Sequence, residues 1–335
     1  MKRISIVNSD PSFNKNKIFG DGNIFNMMYP FFALKQNLKK INIEINTSDI
    51  SPIQISDFVI YNEAPKNGFN PNLLRGKRAF LIILECEIIR PENFNKKLHK
   101  NFEKVFTWDD NLVNENSSLY VKSNFSQCLE PYPSLSIEKR ENFLCCISAN
   151  KKIIHKNELY SERLKVIKWL EKNDPEKFDL YGFGWGQFKF PSNSLLKPLN
   201  ILKFMPDIKS MRTSWRGSID NKLEKLSQYK FNLCFENAKG YEGYITEKII
   251  DSFRAGSIPI YFGAPNIKDH IPKDCFIDLR EYEDFRECYC HIKSLSNADL
   301  LAYQKNMNKF LNSENSFPFS ENAFSERIIN QLNLN

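Results

Sequence analysis

Short apolar runs alternate with longer polar stretches through the first third of the chain. Runs over residues 4–8, 41–45, 57–61, 79–84 and 105–108 have strand length, and the stretch 24–38 predicts a helix interrupted or capped near Pro30. Strands spaced by helical or loop segments of this length predict an α/β domain with a mainly parallel sheet. Pro131-Tyr132-Pro133-Ser134 punctuates the chain and ends that domain near residue 135. A second α/β pattern follows. Strands are predicted over 143–148, 178–181, 231–235, 257–262 and 275–279. A helix over 157–172 carries Tyr160, Leu164, Ile167 and Leu170 at three- and four-residue intervals, with Asn157 as its N-cap. A second helix is predicted over 221–227. A third begins at Thr246, runs to Ala255 and is stopped by Gly256. The tail from residue 297 reads as helical pieces broken around Phe317-Pro318-Phe319.

Length and composition fit this picture. A chain of 335 residues holds two domains, and 41% hydrophobic with 26% charged residues is a globular composition. The 47 Lys and Arg against 40 Asp and Glu give +7, a tilt suited to phosphates, an anionic sugar nucleotide or an anionic membrane surface. No concentrated basic stripe is present, so no nucleic-acid partner is expected. The eight cysteines include no C-x-x-C and mostly sit in apolar runs such as 143–147. They are expected as buried free thiols in a reducing compartment. The apolar N-terminal stretch is too short for a signal peptide, and no run of 18 apolar residues exists. The expectation is a cytoplasmic protein, at most peripheral on the inner face of the membrane. Its oligomeric state is not fixed by the sequence.

The most informative stretch lies between a strand and a helix, from Phe235-Glu236-Asn237 through a glycine-rich loop to Tyr244-Ile245-Thr246-Glu247-Lys248. The helix start offers unpaired N–H groups and a positive dipole end, and Lys248 adds a mobile charge, a combination that holds phosphate. Glu247 or Glu236 can accept from ribose hydroxyls or a guanine edge, and Tyr244 can stack or donate. The plain alternative is an ordinary first-turn acid followed by a solvated lysine. Downstream, 256–267 reads as a buried strand leaving into a tight turn. No metal site is expected. His99, His155, His270 and His291 lack ligand spacing, Asp109-Asp110 only superficially resembles a metal-binding pair, and Cys288, Cys290 and His291 sit among helix-face residues Phe285, Tyr289 and Ile292.

The string F-E-N, a short loop, G-Y-I-T-E-K-I, then G-x-I-P-I-Y-x-G-x-P and I-P-x-D-x-F-I-D, preceded by Leu226-Ser227-Gln228-Tyr229-Lys230-Phe231, lies between residues 226 and 279. It resembles the alpha-1,3-fucosyltransferase family, glycosyltransferase family 10, whose bacterial members decorate lipopolysaccharide. The resemblance implies a GT-B fold of two facing Rossmann-like domains. Residues 1–135 would take the acceptor sugar, 136–315 would bind GDP-fucose, and 316–335 would carry a helix (324–334) packing back on the first domain. It implies transfer of L-fucose with inversion, no required cofactor, and an oligosaccharide or lipopolysaccharide acceptor, with O3 of N-acetylglucosamine in N-acetyllactosamine as the expected hydroxyl.

An inverting transfer needs a base for the acceptor proton and positive charge on the departing diphosphate. Matched on Pro91, the resemblance makes Glu87 the base, with Glu85 second; Ile88 stands where the family often has Asn, and either acid could instead pair with Arg90. The clamp would be Lys248 with Arg212, placed by its distance from Tyr229, or Arg216, beside Gly217. Glu236, Asn237, Tyr244, Thr246 and Glu247 complete the expected donor site, Glu247 at the ribose, Tyr244 at phosphate or fucose, and Thr246 as a cap. Loops 19–26 and 88–94 would select the acceptor. Some relatives carry heptad repeats and a basic amphipathic tail that this sequence does not show, leaving only weak association with anionic lipid. Two alternatives compete: the same enzyme with another GDP-deoxyhexose, and a non-catalytic GDP-sugar or glycan-binding protein. An oxidoreductase is disfavoured because no G-x-G-x-x-G follows the first strand.

Overall fold

Eleven strands form two parallel sheets in the computed structural model, which describes residues 2–23, 27–186 and 212–332. The chain divides into two units. The first comprises Met1–Leu129, Glu242–Glu247 and Asn315–Asn335; the second comprises Glu130–Tyr241 and Lys248–Glu314.

In the first unit, β1 (Lys2–Asn8), β2 (Ile43–Thr47), β3 (Phe58–Asn62), β4 (Arg78–Ile83), β5 (Lys104–Thr107) and β6 (Tyr120–Lys122) stand in the order β2-β1-β3-β4-β5-β6. All pairings are parallel. The strands are near-continuous apolar runs because both faces of the sheet are covered. Alternate residues separate to the two faces. Ile4, Ile6, Ile60, Phe80, Ile82 and Phe106 share one core, and Val59, Tyr61, Leu81, Ile83 and Val105 the other. Helix Tyr29–Lys40 closes the first core, with Pro30 in its first turn, where a missing N–H costs nothing. The expected helix began at 24; residues 24–26 lie outside the described residues. The last helix, Glu321–Gln331, covers the same face, placing Phe324, Ile328 and Leu332 in the core and the Phe324 ring 5.1 Å from Phe31 in a T-shaped pair. Three-residue β6 was missed in the sequence because it is too short to show a period.

In the second unit, β7 (Asn142–Ile147), β8 (Phe178–Tyr181), β9 (Tyr229–Phe235), β10 (Ile258–Phe262) and β11 (Ile277–Asp278) stand in the order β11-β10-β9-β7-β8, again all parallel. Helix Tyr160–Asn173 begins later than predicted, and Asn157 does not cap it. The Asn157 carbonyl instead accepts the Lys239 N–H at 2.8 Å, tying the helix entry to the loop after β9. Its buried stripe is Tyr160, Arg163, Val166, Ile167 and Leu170. Asn221 does cap helix Lys222–Leu226, accepting the Glu224 N–H at 3.1 Å. Gly256 ends helix Glu247–Arg254 in a left-handed turn at φ 64, where a Cβ would lie 2.9 Å from both Arg140 Nη2 and Gln304 Nε2. All eight cysteines are free, seven of them buried. Among the described residues no helix is long and apolar enough to cross a membrane.

Candidate active site

In open parallel sheets, ligands bind beyond the carboxyl ends of the strands. In the second unit, the carboxyl-end half of β9 leads into a pocket lined by Ser148, Arg163, Lys222, Asn232, Cys234 and Lys248. Three cations thus line one small space. Lys248 Nζ lies 2.9 Å from Glu236 Oε2, and Lys222 Nζ lies 2.8 Å from Asp251 Oδ2. Arg163 is 4% exposed, gives one N–H to the Ala149 carbonyl at 3.1 Å, and leaves its buried Nε without a hydrogen-bond partner. A buried guanidinium with an unused N–H is costly. Sequence reading passed over Arg163 because it sits within an apolar helical stripe; its signal was a cation three residues after Tyr160 on the buried face. Asn232 orients the lining, donating to Ser252 Oγ at 3.0 Å, and Ser252 Oγ donates to the Lys248 carbonyl at 2.9 Å.

Glu236 is fully buried, and its carboxylate pairs with Lys248 inside the protein. Asn237 is half-buried, and its carbonyl accepts the Leu159 N–H at 3.1 Å. Neither Arg212 nor Arg216, the two arginines expected at the diphosphate, lines this pocket. Arg212 Nη1 pairs with Glu171 Oε2 at 2.8 Å, and Arg216 Nε pairs with Asp179 Oδ1 at 2.6 Å beside edge strand β8. Each is engaged by a carboxylate that the sequence did not bring into view, since the partners lie 41 and 37 positions upstream.

Residues 242–247, the middle of the sequence motif, belong to the first unit. The Glu242 carbonyl accepts the Asp110 N–H at 3.3 Å, and the Glu247 carbonyl accepts Gln127 Nε2 at 3.4 Å. Tyr244 is fully buried, its ring 4.7 Å from Trp108 and 5.9 Å from Phe125, and its hydroxyl shares a hydrogen bond with the Cys86 thiol. The ring is packed inside the first unit. Thr246 is 2% exposed and Glu247 half-buried. Gly243, at φ 79, is required, because a Cβ would come within 2.7 Å of Asp110 Oδ2 and Lys122 Nζ.

Glu85 and Glu87 follow β4 in the first unit. Glu87 is exposed on a turn in which Ile89 and Arg90 both donate N–H to the Cys86 carbonyl, at 3.0 and 2.9 Å. Glu85 is half-buried and its backbone is held firmly. Glu63 Oε1 accepts the N–H of Leu84 at 2.9 Å and of Glu85 at 2.8 Å. Trp108 Nε1 donates to the Leu84 carbonyl at 2.8 Å, and Asn93 Nδ2 to the Glu85 carbonyl at 2.9 Å. Sequence reading missed Glu63 and Asn93; an acid beside a strand end in Asn62-Glu63-Ala64-Pro65 was the available signal.

Burial pushes the Glu63 carboxyl up to about 7, outweighing the hydrogen bonds that favour its ionised form. Its folded value lies above the 4.5 of the free side chain, so the folded state holds the proton more tightly. This contributes stability that is full below about pH 4.5 and lost as pH rises through about 7, a difference of about 3 kcal/mol. Comparing melting of the wild type and Glu63→Gln at pH 5 and pH 8 checks this. The wild type should gain relative to the variant at pH 5, and an equal difference at both pH values would refute it.

The other polar clusters are structural. Asp109 caps the short helix Asp110–Glu115, accepting the N–H of Asn111 and Leu112, and Asp110 pairs with Lys122. His99 is fully buried between the Tyr120 hydroxyl at 3.0 Å and the Asn93 carbonyl at 2.8 Å. Burial holds its pKa below the ordinary value. On helix Phe285–Ser294, Cys288 is buried and Cys290 exposed, so they do not converge.

Two parallel-sheet units with an anion-ready pocket beside a central strand define an α/β glycosyltransferase fold of the GT-B class. A solved alpha1,3-fucosyltransferase with GDP-fucose aligns over 99% of this chain and 90% of its own, with a TM-score of 0.55 and 19% identity. An alpha-glucosyltransferase in complex with UDP and DNA aligns over 99% of both chains, with a TM-score of 0.60 and 12% identity. Both likenesses establish the fold. Residues 151–312 match the family model described as glycosyltransferase family 10 (fucosyltransferase) C-term. An alpha-(1,3)-fucosyltransferase of Helicobacter pylori is 40% identical over 127 residues, which is 37% of this chain and 26% of that protein. An alpha-(1,4)-fucosyltransferase of Arabidopsis thaliana is 39% identical over 80 residues, 24% of this chain and 20% of that protein. A GDP-fucose protein O-fucosyltransferase 3 of Xenopus laevis is 41% identical over 80 residues, 24% of this chain and 17% of its own. The matched stretch thus spans about a quarter or less of these relatives' length.

Proposed function

We propose that this protein transfers L-fucose from GDP-fucose to a hydroxyl of a glycan, with inversion at the anomeric carbon. The observation that carries the reading is the cationic pocket of Lys248, Arg163 and Lys222 beside the motif shared with the fucosyltransferases. A diphosphate leaving group needs fixed positive charge, and preorganised cations supply it without reorganisation. Lys248 takes the leading role, with Arg163 and Lys222 beside it. Asn237 and Glu247 remain the contacts for nucleotide or sugar. Arg212 and Arg216 act as structural ion-pair partners in this reading.

The acceptor proton goes to a carboxylate in Glu85-Cys86-Glu87. Glu85 is the stronger candidate, because its backbone is fixed on both sides of the peptide whereas Glu87 stands exposed on a turn. A base must be held within hydrogen-bond reach of the proton it removes, so a fixed position favours Glu85. The resemblance favours O3 of N-acetylglucosamine in a surface oligosaccharide or lipopolysaccharide as acceptor, with catalysis in the cytoplasm, peripherally at the membrane at most.

A donor panel tests this. Purified protein is mixed with GDP-fucose, other GDP-deoxyhexoses and UDP-sugars, with N-acetyllactosamine or lactose as acceptor, and product is read by mass. GDP-fucose turnover lost in Glu85→Gln and retained in Glu87→Gln is the expected result. Loss only in Glu87→Gln exchanges the two acids. Turnover of a different GDP-sugar moves the donor assignment, and GDP-fucose binding without transfer to any acceptor favours a binding protein.

A further inference from the structure

Two unfavourable features meet at Glu63. Its carboxylate is buried, at 8% exposure, and it packs against Asn93, which is fully buried. Its backbone is left-handed, at φ 71, a conformation that a non-glycine residue adopts only at a cost. Nothing in the sheet itself requires an ion there. The surrounding structure nonetheless over-determines the position. The Glu63 N–H donates to the Ile82 carbonyl at 2.9 Å. Ser9 Oγ donates toward the carbonyls of Glu63 at 2.9 Å and Ala64 at 3.1 Å. Asn93 Oδ1 accepts the Ala64 N–H at 2.9 Å, and Arg90 Nε donates to the Ala64 carbonyl at 3.0 Å.

What this arrangement holds is the exit of β4. Three donors converge on one carboxylate: the Leu84 and Glu85 N–H groups on Oε1 and the Asn93 amide on Oε2. Asn93 in turn donates to the Glu85 carbonyl, so Glu63 and Asn93 grip both ends of the Glu85 residue. Strain and buried charge persist at functional sites when the site needs a fixed geometry.

We propose that Glu63, working through Asn93, is the positioning residue that sets the orientation of the Glu85 base. The inference rests on the fucosyl-transfer reading and adds to it a residue that never touches substrate. The donor pattern tells which substitutions discriminate. In Glu63→Gln, the new NH2 group faces the Asn93 NH2 group, two donors with no acceptor between them. In the double variant Glu63→Gln with Asn93→Asp, the introduced amide keeps both backbone N–H groups on its oxygen, and its NH2 donates to the new carboxylate. That carboxylate still accepts from Ala64. The charge is conserved, and only the bond to the Glu85 carbonyl is lost.

Steady-state transfer from GDP-fucose to N-acetyllactosamine is measured for the wild type and both variants, with amide hydrogen exchange on the same full chains. The expected result is a fall in kcat of tenfold or more in Glu63→Gln, with the KM for GDP-fucose within about twofold, and recovery of at least half of the lost activity, on a logarithmic scale, in the double variant. Exchange at the Leu84 and Glu85 amides should accelerate more than tenfold in Glu63→Gln and return toward wild type in the double variant. A folded Glu63→Gln with wild-type kcat overturns the proposal. So does a loss that the double variant fails to rescue. Should Glu63→Gln alone not fold, the double variant decides: wild-type exchange at both amides supports the proposal, and unprotected amides overturn it. A wild type that turns over no GDP-sugar refutes the functional reading instead, and exchange alone then decides whether Glu63 fixes this segment.

Discussion

Lys248→Ala should lower fucosyl transfer by about 100- to 1,000-fold, the scale on which removing one preorganised charge-stabilising group acts. The same change should also destabilise the second unit by about 3–5 kcal/mol, because the fully buried Glu236 carboxylate loses the ammonium 2.9 Å away. Both effects come from a single ion pair, and they separate in a double variant. Lys248→Ala with Glu236→Gln removes the buried negative charge along with its partner, so stability should largely return while transfer stays low. Thermal melting and initial rates on the three proteins read this. Full transfer in the refolded double variant would show that Lys248 serves the fold and not the diphosphate.

Phe324→Ala should destabilise the first unit by about 3–5 kcal/mol, the usual cost of removing a buried ring. The Phe324 side chain is 3% exposed and meets Phe31 at 5.1 Å in the core below the sheet. Losses of this size approach the whole stability of a typical domain. Phe317→Ala offers the contrast. Seven residues upstream of Phe324, this ring is 44% exposed, and its loss should stay within about 0.5 kcal/mol. Chemical denaturation of the two variants checks the pair. Equal effects would mean that helix Glu321–Gln331 does not contribute to that core.

The alternation of apolar runs and the 3.6-residue periods carried the architecture, since strands such as Phe58–Asn62, Arg78–Ile83 and Ile258–Phe262 are the apolar segments that both-face burial imposes on parallel sheets. Lys248 stood out in the sequence because a lysine at a helix start after a glycine-rich loop has a local physical meaning. Glu63, Asn93 and Arg163 were not. Their roles depend on partners 8 to 30 positions away or on the inside of a helix, and no local pattern encodes those. Nor does a local pattern show the surroundings of Arg212, Arg216 and Tyr244. Sequence supplied a plausible chemistry for each side chain, while burial and the distant partners Glu171, Asp179 and Trp108 had already engaged them.

The first unit takes its closing pieces from late in the chain: residues 242–247 wedge Tyr244 beside Trp108, and the last helix supplies Phe324, Ile328 and Leu332. A chain emerging from the ribosome delivers its N-terminal part first. Here the first sheet must wait, with its Phe31 face uncovered, until residues 321–332 have been made. The half synthesised first is thus the half that matures last. A fragment ending at residue 129 would present that apolar face to solvent as a standing invitation to aggregate.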